Sequence, residues 1–419
     1  MMKKYLTSLL ILSITALSFT LKKEKTCQIT GTVLNSETKS ILLVKPNQNM
    51  TFDKIIEIPV VNGKFHFETK LKNPETVNLF LGEAKDNGGG RYMRLFLENE
   101  KIVLTIYPEN DFDKNIIQGG RLNAEYSKYN QAIDLKFRDR YKLLNDSVKK
   151  LHENKQYNSI QMNEVLAELD KSKSQDENII LYKKMDDLRK KGLDKMPQAR
   201  ILSDKLETLR REVKLYEQSY ILQNPTIVSY AIILNNLIFD KENVDIDLAR
   251  DNCKKLSKAN PGHPYNVLTL DLINAIDNIK IGKNFKDFSA PDLKGNIIRL
   301  SDQIKGKVAL LDLWATWCGP CIARSKTMLS VYDKYKDKGF TIIGVAGEFK
   351  NTTNLTKFLE REKWPWLNLV ELDRKNNIWQ KYNIQNSGGA IFLIDRDGKI
   401  IAKDPSADEV KNELEKQRN

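Results

Sequence analysis

Two cysteines separated by two residues are the clearest chemical feature of this 419-residue sequence. They are Cys318 and Cys321, with Gly319 and Pro320 between them, and Trp317 comes immediately before the first cysteine. Such a pair can close a small disulfide ring and open it again, so the pattern predicts reversible thiol–disulfide chemistry. A pair at this spacing is also half of a zinc site, so the surrounding elements must decide between redox chemistry and metal binding.

The segments around the pair predict a strand, a turn and a helix. Residues 307–314 form an almost continuously apolar run, which is typical of a strand buried on both faces in a parallel sheet. Apolar residues then recur at helical spacing over 322–338, and Gly339 stands where a helix would end. A second apolar run at 340–346 completes a strand–helix–strand unit, whose crossover should be right-handed.

This arrangement places Cys318 at the start of a helix. Unpaired backbone N–H groups and the positive end of the helix dipole favour the thiolate, so the pKa of Cys318 should fall below that of a free cysteine. Pro320 fits the first helical turn, where no backbone N–H is needed. Cys321 should lie deeper on the helix. We therefore predict that Cys318 attacks a partner disulfide and that Cys321 resolves the mixed disulfide.

The sequence DLWATWCGPC at 312–321 resembles the active-site segment of thioredoxin. The stretch 288–301, followed by KGKV at 305–308, resembles the envelope-located thiol-disulfide oxidoreductases of the TlpA/ResA group. The resemblance covers about residues 282–419. It implies a C-terminal α/β thioredoxin fold and dithiol chemistry on protein cysteines, without an organic cofactor or a metal. Gly-Pro between the cysteines resembles reductants more than strong oxidants.

Two carboxylates are candidates for moving the proton of the inner thiol. Asp312 stands in the middle of the apolar strand, where burial should raise its pKa and suit it to proton exchange with Cys321. Its spacing before Cys318 is also that of the buried aspartate of thioredoxin. Glu348 follows the second strand and resembles a glutamate near the cysteine pair in proteins of the ResA type. The simpler alternatives are a solvated acid at a strand edge for Asp312 and an ordinary loop acid for Glu348.

The loop that should face the disulfide departs from the thioredoxin pattern. Proteins of that family usually carry a cis-proline just before a late strand, which here is 390–394, and the proline position holds Gly389. Gly388 and Gly389 are flexible and lack the ring that shields the sulfur, so we expect a wider groove for the substrate. The predicted substrate-binding residues are Trp317, Gly319, Pro320, Gly388 and Gly389.

The sequence predicts neither a metal site nor a nucleic-acid site. Its other cysteines and histidines are Cys27, Cys253, His66, His152 and His263. None is close to the pair in the sequence, whereas zinc normally needs two further ligands. The formal net charge is +13, and the basic residues are spread along the chain. This is typical of a solvated, lysine-rich surface, and it could give weak attraction to an anionic membrane surface.

Residues 1–20 predict a secretory signal. Two lysines precede an apolar run of about fifteen residues, which is short for a membrane span. Ala16 and Ser18 suit cleavage after Ser18, and an uncleaved membrane anchor is the alternative. Export would place the chain in the periplasm or cell envelope, which is an oxidising compartment. Cys27 and Cys253 could pair there or stay as buried free thiols.

Two further regions precede the redox module. Residues 25–118 predict an antiparallel β domain, because short apolar runs recur and Asn62-Gly63 gives a hairpin signal. Residues 119–281 predict helices, because dense charges alternate with apolar residues at helical spacing. The β domain resembles the small domain of uncharacterised role that often precedes modules of the TlpA type. It could bind a partner, or serve only as a spacer or a homodimer contact, and the helices could position the redox module or dimerise.

Two functions are compatible with these features. The first is an exported thiol-disulfide oxidoreductase that reduces protein disulfides, with protein thiols, protein disulfides and an upstream redox donor as partners. The second is an envelope binding, scaffold or redox-sensing protein, in which the β and helical regions hold a partner. A Cys318→Ser variant separates the two, because it abolishes function only under the first.

Overall fold

The computed structural model describes residues 25–35, 37–50, 53–172, 175–384 and 388–416. The predicted signal at 1–20, with its cleavage site, lies outside the described residues. None of the helices in the described ranges is long and apolar enough to cross a membrane.

The N-terminal region forms two four-stranded sheets. Their strands are β1 (Cys27–Val33), β2 (Ser40–Val44), β3 (Ile56–Pro59), β4 (Lys64–Thr69), β5 (Glu75–Leu81), β6 (Met93–Leu97), β7 (Lys101–Ile106) and β8 (Ile116–Gln118). One sheet has the order β4–β1–β7–β8 and the other β3–β2–β5–β6. The pairs are antiparallel, as predicted, except that β1 and β7 run parallel. Apolar periodicity indicates which face of a strand is buried, but it does not indicate whether a strand distant in the sequence will pair with it in a parallel or an antiparallel direction.

The two sheets pack face to face. Their shared core contains Ile29 and Leu104 from one sheet and Leu43 and Leu79 from the other. The predicted hairpin at Asn62-Gly63 forms only its tip, where both residues have positive φ and Val61 bridges to Lys64. Beyond the tip, β3 and β4 diverge into different sheets, because each strand completes a separate face of the core.

The middle of the chain is helical, as predicted. Its helices are α1 (Arg121–Glu153), α2 (Ile160–Lys171), α3 (Gln175–Lys190), α4 (Pro197–Gln223), α5 (Ile227–Phe239), α6 (Ile246–Ala259) and α7 (Pro264–Asn278). Helix α5 is apolar on nearly all sides, so it is buried at the centre of the helical core and contacts β5. The Tyr265 hydroxyl ties α7 to the sheet, since it accepts from Thr76 N–H at 2.8 Å and donates to the Thr76 carbonyl at 3.2 Å.

The C-terminal region is a five-stranded sheet with helices around it. Its elements are β9 (Ser289–Pro291), β10 (Ile297–Arg299), α8 (Leu300–Ile304), β11 (Val308–Trp314), α9 (Gly319–Thr327), α10 (Leu329–Tyr335), β12 (Phe340–Glu348), α11 (Thr353–Glu362), β13 (Leu367–Leu372), α12 (Ile378–Lys381), β14 (Ala390–Ile394), β15 (Ile400–Lys403) and α13 (Ala407–Lys416). The sheet order is β13–β12–β11–β14–β15, with β11 parallel to β12 and antiparallel to β14. The thioredoxin-like fold predicted for this region is confirmed.

The start of the cysteine helix is as predicted, with Cys318 at the N-cap and Pro320 in the first turn. Two other features differ from the predicted ones. The helix predicted to run on to 338 is interrupted at Met328, between α9 and α10. The strand predicted over 340–346 extends to Glu348. Apolar spacing shows where an element is buried, so it misses a break within a helix and a strand end closed by a hydrogen-bonded acid.

The helical region contacts the C-terminal region close to the cysteines. Helix α3 packs against α9, the helix that carries them. Lys183 and Lys190 on α3 pair with Asp408 and Glu409 on α13. These side chains are largely exposed, so the contact between the two regions is partly electrostatic.

Candidate redox site

The two cysteines form a disulfide at the start of α9. Cys318 is the N-cap residue, and Cys321 lies in the first turn, with 5.3 Å between their Cα atoms. The Cys318 N–H donates to the Ala315 carbonyl at 3.1 Å, which folds the end of β11 into the helix start. Cys318 is 6% exposed and Cys321 is 3% exposed. A disulfide partner therefore reaches the first sulfur through a narrow opening.

Asp312 is buried in the centre of β11 and is 1% exposed. Its Oδ2 accepts a hydrogen bond of 2.5 Å from the Ser325 hydroxyl, and its Oδ1 has no partner among the residues that the structure describes. Desolvation raises the pKa of Asp312 to about 6, although the Ser325 hydrogen bond and the charge of Arg324 act in the opposite direction. A carboxyl with this pKa can bind and release a proton near neutral pH.

Ser325 links Asp312 to the cysteine helix, and the sequence did not predict it. The Ser325 oxygen lies 2.5 Å from Asp312 Oδ2 and 2.9 Å from the Cys321 carbonyl oxygen. A hydroxyl has a single hydrogen, so it can donate to only one of these acceptors at a time. When Asp312 is protonated it can donate to the Ser325 oxygen, and the Ser325 hydroxyl can then donate to the Cys321 backbone carbonyl. The available signal was the four-residue spacing from Cys321, which is one helical turn.

Glu348, the second predicted acid, is buried at the end of β12. The Thr316 N–H donates to its Oε1 at 2.7 Å, and the Thr316 hydroxyl donates to its Oε2 at 2.8 Å. Both carboxylate oxygens thus anchor the turn that precedes Cys318. Proton transfer by Glu348 stays a prediction.

Trp317, Gly319 and Pro320 make an accessible surface around Cys318. Trp317 is 50% exposed, and its indole N–H donates to the Gly347 carbonyl at 2.9 Å. Its ring also lies 6.0 Å, centre to centre, from the rings of Phe349 and Trp379. These contacts hold the Trp317 ring as a flat apolar surface beside the disulfide.

The two loop glycines differ in what they face. A Cβ atom on Gly388 would lie 3.1 Å from the Cys318 sulfur and 3.7 Å from the Cys321 sulfur. A Cβ atom on Gly389 would collide with the Leu313 carbonyl oxygen at 1.6 Å. Gly388 thus faces the two sulfurs, whereas Gly389 packs against β11, and the wider groove expected for the glycine pair stays a prediction. The Gly389 N–H donates to the Cys321 sulfur at 3.1 Å, and a proline there would lack that donor.

Arg324 joins the cysteine helix to this loop, and the sequence did not predict it either. Its Nη1 donates to Asp404 Oδ1 at 2.6 Å, and its Nη2 donates to the Gly389 carbonyl at 3.3 Å. Asp404 Oδ1 also accepts from the Ile391 N–H at 2.9 Å, which fixes the carboxylate on β14. The signal in the sequence was a basic residue three positions after Cys321, on the same side of the helix.

The other cysteines, Cys27 and Cys253, are buried free thiols and are not paired with each other. Burial raises the pKa of Cys27 to about 11, and it raises the pKa of Cys253 as well. Both groups therefore stay protonated near neutral pH. Within the described ranges, no group of three or more histidine, cysteine, aspartate or glutamate side chains is placed to hold a metal ion.

Comparison with protein families divides the chain in the same way. Residues 281–403 match the model of the AhpC/TSA family. Residues 27–126 match a domain of unknown function (DUF4369).

Curated relatives match about a third of the chain. The thiol-disulfide oxidoreductase ResA of Bacillus cereus is 34% identical over 129 residues, which are 30% of this chain and 70% of that protein. ResA of Geobacillus kaustophilus is 35% identical over 123 residues, which are 29% of this chain and 67% of that protein.

Solved structures also cover about a third of the chain. The thioredoxin domain of a thiol-disulfide oxidoreductase from Bacteroides vulgatus is 34% identical, covering 33% of this chain and 99% of that domain, with a TM-score of 0.30. A putative thiol:disulfide interchange protein DsbE from Chlorobium tepidum is 31% identical, covering 33% of this chain and 97% of that chain, with a TM-score of 0.28.

The match to these ResA proteins extends over about two thirds of their length or more. The family match at 281–403 includes the strand, turn and helix that hold the disulfide. The chain therefore belongs to the ResA/TlpA-like thiol-disulfide oxidoreductases of the thioredoxin superfamily, and a domain of unknown function precedes its redox module.

Proposed function

We propose that this protein is an exported reductase of protein disulfides that acts through Cys318 and Cys321. The observation that carries the proposal is the buried carboxyl of Asp312, with a pKa of about 6, hydrogen-bonded to the helix that bears both sulfurs. Export is inferred from residues 1–20. The direction of electron flow is inferred from the Gly-Pro pair between the cysteines.

In the first step, the reduced Cys318 thiolate attacks one sulfur of a substrate disulfide. A Cys318–substrate disulfide forms, the substrate S–S bond breaks, and one substrate thiolate leaves and takes a proton from solvent. The position of Cys318 at the N-cap of α9 supports this role, because the unpaired N–H groups of a helix start stabilise a thiolate.

In the second step, the Cys321 thiol gives its proton to Asp312 and attacks the Cys318 sulfur. The Cys318–Cys321 disulfide forms, and the second substrate thiolate leaves. Two electrons have then passed from the dithiol to the substrate, and an upstream thiol donor must return them. The ionised form of Asp312 predominates above pH 6, so it can act as the proton acceptor at neutral pH.

The substrate binds on the surface made by Trp317, Gly319, Pro320 and Gly388. An apolar ring at the edge of the disulfide and the absence of a side chain at Gly388 suit an extended polypeptide segment. The β domain at 25–118 and the helical region at 119–281 position the redox domain at 282–419 or mediate homodimer contacts.

The test is turnover and redox equilibrium of the full chain. With dithiothreitol as the donor, wild type should reduce insulin disulfides, and Cys318→Ser should not. Equilibration with glutathione should give a reduction potential of about −270 to −200 mV, the range of reductants and glutaredoxins. A value near about −120 mV, typical of a strong oxidant, would reverse the proposed direction. Insulin reduction by Cys318→Ser at the wild-type rate would remove the proposal altogether.

A further inference from the structure

A chain of hydrogen bonds leads from the surface of the redox domain to the inner sulfur. Asp404 Oδ1 binds Arg324 at 2.6 Å, Arg324 binds the Gly389 carbonyl at 3.3 Å, and the Gly389 N–H donates to the Cys321 sulfur at 3.1 Å. Arg324 and Cys321 lie three residues apart on α9. Helix α9 thus supplies both the Cys321 sulfur and the guanidinium that holds Gly389, the residue that donates to this sulfur.

The N–H contact becomes more important when Cys321 is reduced. A thiolate is a far better hydrogen-bond acceptor than a disulfide sulfur, because hydrogen bonds to charged groups are shorter and stronger. A donor fixed 3.1 Å from this sulfur therefore favours the ionised thiol. The thiolate of Cys321 is the form that attacks Cys318 in the second step.

Glycines alone cannot hold this donor in place. Gly388 and Gly389 have no side chains whose packing could restrict their backbone torsions. Arg324 anchors the carbonyl end of Gly389, and Asp404 in turn fixes the guanidinium while it accepts from the Ile391 N–H at 2.9 Å. The planar guanidinium of arginine can donate to the Asp404 carboxylate and to the Gly389 carbonyl at once, which the single ammonium of a lysine does less well.

We propose that Arg324 is a positioning residue for the second step, because its fork holds Gly389 so that the Gly389 N–H stabilises the Cys321 thiolate. The inference rests on the proposed function, since it assumes that Cys321 resolves a mixed disulfide at Cys318. It assigns Asp404 as the residue that orients the Arg324 guanidinium.

The experiment separates the two steps in a single reaction. The reduced full chain is mixed with a small aromatic disulfide, 5,5′-dithiobis(2-nitrobenzoate), in a stopped-flow instrument. Attack by Cys318 releases one coloured thiolate, and attack by Cys321 on the mixed disulfide releases the second. The first phase reports the nucleophile, and the second phase reports the resolving step.

Arg324→Met should slow the second phase by about tenfold, the loss expected for one charge-assisted hydrogen bond. The first phase should change by less than about twofold, because Cys318 has no contact with the fork among the described residues. Asp404→Asn should slow the second phase by a few-fold. Arg324→Lys should recover only part of the rate, although it keeps the positive charge.

Lys326→Met is the matched control. Lys326 lies two residues further along α9 and pairs with Glu362 at 3.1 Å, so its loss should leave both phases at the wild-type rates. A second phase of Arg324→Met within about twofold of wild type would overturn the inference, as would full recovery in Arg324→Lys, which would assign the effect to charge alone. Failure of the proposed function looks different, because wild type itself would then release fewer than two thiolates.

Discussion

Two carboxyl groups, the buried Asp312 of the redox domain and the half-buried Glu217 of the helical region, are shifted by the same physical effect but have different neighbours. Desolvation raises the pKa of both. Asp312 is hydrogen-bonded through Ser325 to the cysteine helix, whereas Glu217 accepts hydrogen bonds from Asn236 at 3.1 Å and Tyr129 at 3.4 Å. Burial tunes an acid wherever it occurs. Of these two acids, Asp312 is the one connected through a hydrogen bond to the helix that carries the disulfide.

The cysteines show the same contrast between the regions. Cys318 caps a helix, where backbone N–H groups favour the thiolate, and its neighbours Trp317 and Gly319 are exposed. Cys27 and Cys253 are enclosed by apolar side chains in the β sandwich and the helical core. The upstream regions therefore hold their thiols as small apolar residues, and the chemistry is concentrated in about a third of the chain.

The largest expected effect concerns the reactivity of the four cysteines. In the reduced native protein at pH 7, iodoacetamide should modify Cys318 at least about a hundred times faster than Cys27 or Cys253, because only Cys318 combines a helix N-cap with a route to solvent. Peptide mass spectrometry over a time course measures the three rates. Labelling of Cys253 as fast as Cys318 before unfolding would remove the contrast between the regions.

Asp312→Asn and Glu217→Gln remove two acids whose pKa is raised by desolvation, so the comparison separates desolvation from chemistry. Asp312→Asn should slow the second phase of the two-step disulfide reaction by about 10- to 100-fold at pH 7.5, because the proton acceptor is lost. In wild type this phase should slow as the pH falls below about 6, where Asp312 becomes protonated. Glu217→Gln should keep the wild-type rates and pH profile. An equal loss in both variants would make the effect one of general stability.

The two substitutions should change the pH dependence of the free energy of unfolding in the same direction. The pKa of Asp312 is raised from 3.8 to about 6, so the folded state binds the proton more tightly than the unfolded chain. This contribution to the free energy of unfolding is complete below about pH 4 and is lost as the pH rises through about 6. As the pH rises from 4 to 8, wild type loses this contribution and Asp312→Asn does not. The free energy of unfolding of the variant, measured in urea, should therefore rise relative to that of wild type by up to about 2–3 kcal/mol. Glu217→Gln should change in the same direction.

Ser325→Ala should have a smaller effect. The Ser325 hydroxyl lowers the pKa of Asp312, so its removal should raise that pKa and move the acid limb of the second phase to higher pH. We expect a rate loss of about two- to fivefold at pH 7, in line with one neutral hydrogen bond. Thr327→Val is the control, because the Thr327 hydroxyl donates to the Arg324 carbonyl and not to Asp312. If the second-phase rate of Ser325→Ala falls at the same pH as in wild type, Ser325 has no part in proton transfer.

The smallest effect tests the contact between the regions. Lys183→Glu with Lys190→Glu should increase amide hydrogen exchange in α3, and adding Asp408→Lys with Glu409→Lys should restore protection. Exposed ion pairs contribute about 1 kcal/mol or less, so the change in exchange should be a few-fold and should fade in high salt. Lys184→Glu is the control, since Lys184 pairs with Glu168 on α2 at 3.2 Å. Unchanged exchange in the charge-reversed protein would mean that apolar packing alone holds α3.

The sequence predicted the elements of the redox domain better than the directions of its side chains. The strand and helix around Cys318 follow from local apolar periodicity, and the N-cap position follows from Gly319 and Pro320. Arg324 and Ser325 were missed because their partners, Asp404 and Asp312, are distant in the sequence. The orientation of Gly389 toward β11 is likewise set by the packing of β14 beside β11.

The upstream regions show the same limit on a larger scale. Short alternating runs predict strands, but the parallel pairing of β1 with β7 depends on how the two sheets share one core. The hairpin signal at Asn62-Gly63 gave the correct turn and the wrong continuation, since β3 and β4 join different sheets. Periodicity reports burial within a segment, whereas pairing between segments is a property of the whole fold.

Trapping of the mixed disulfide tests the assigned roles of the two sulfurs most directly. Reduced Cys321→Ser and Cys318→Ser variants of the full chain would be incubated with a peptide disulfide, quenched in acid and analysed by intact-mass and peptide mass spectrometry. The assignment predicts a stable peptide adduct on Cys318 in Cys321→Ser and little adduct on Cys321 in Cys318→Ser. An adduct that forms faster on Cys321, or no adduct on Cys318, would contradict it.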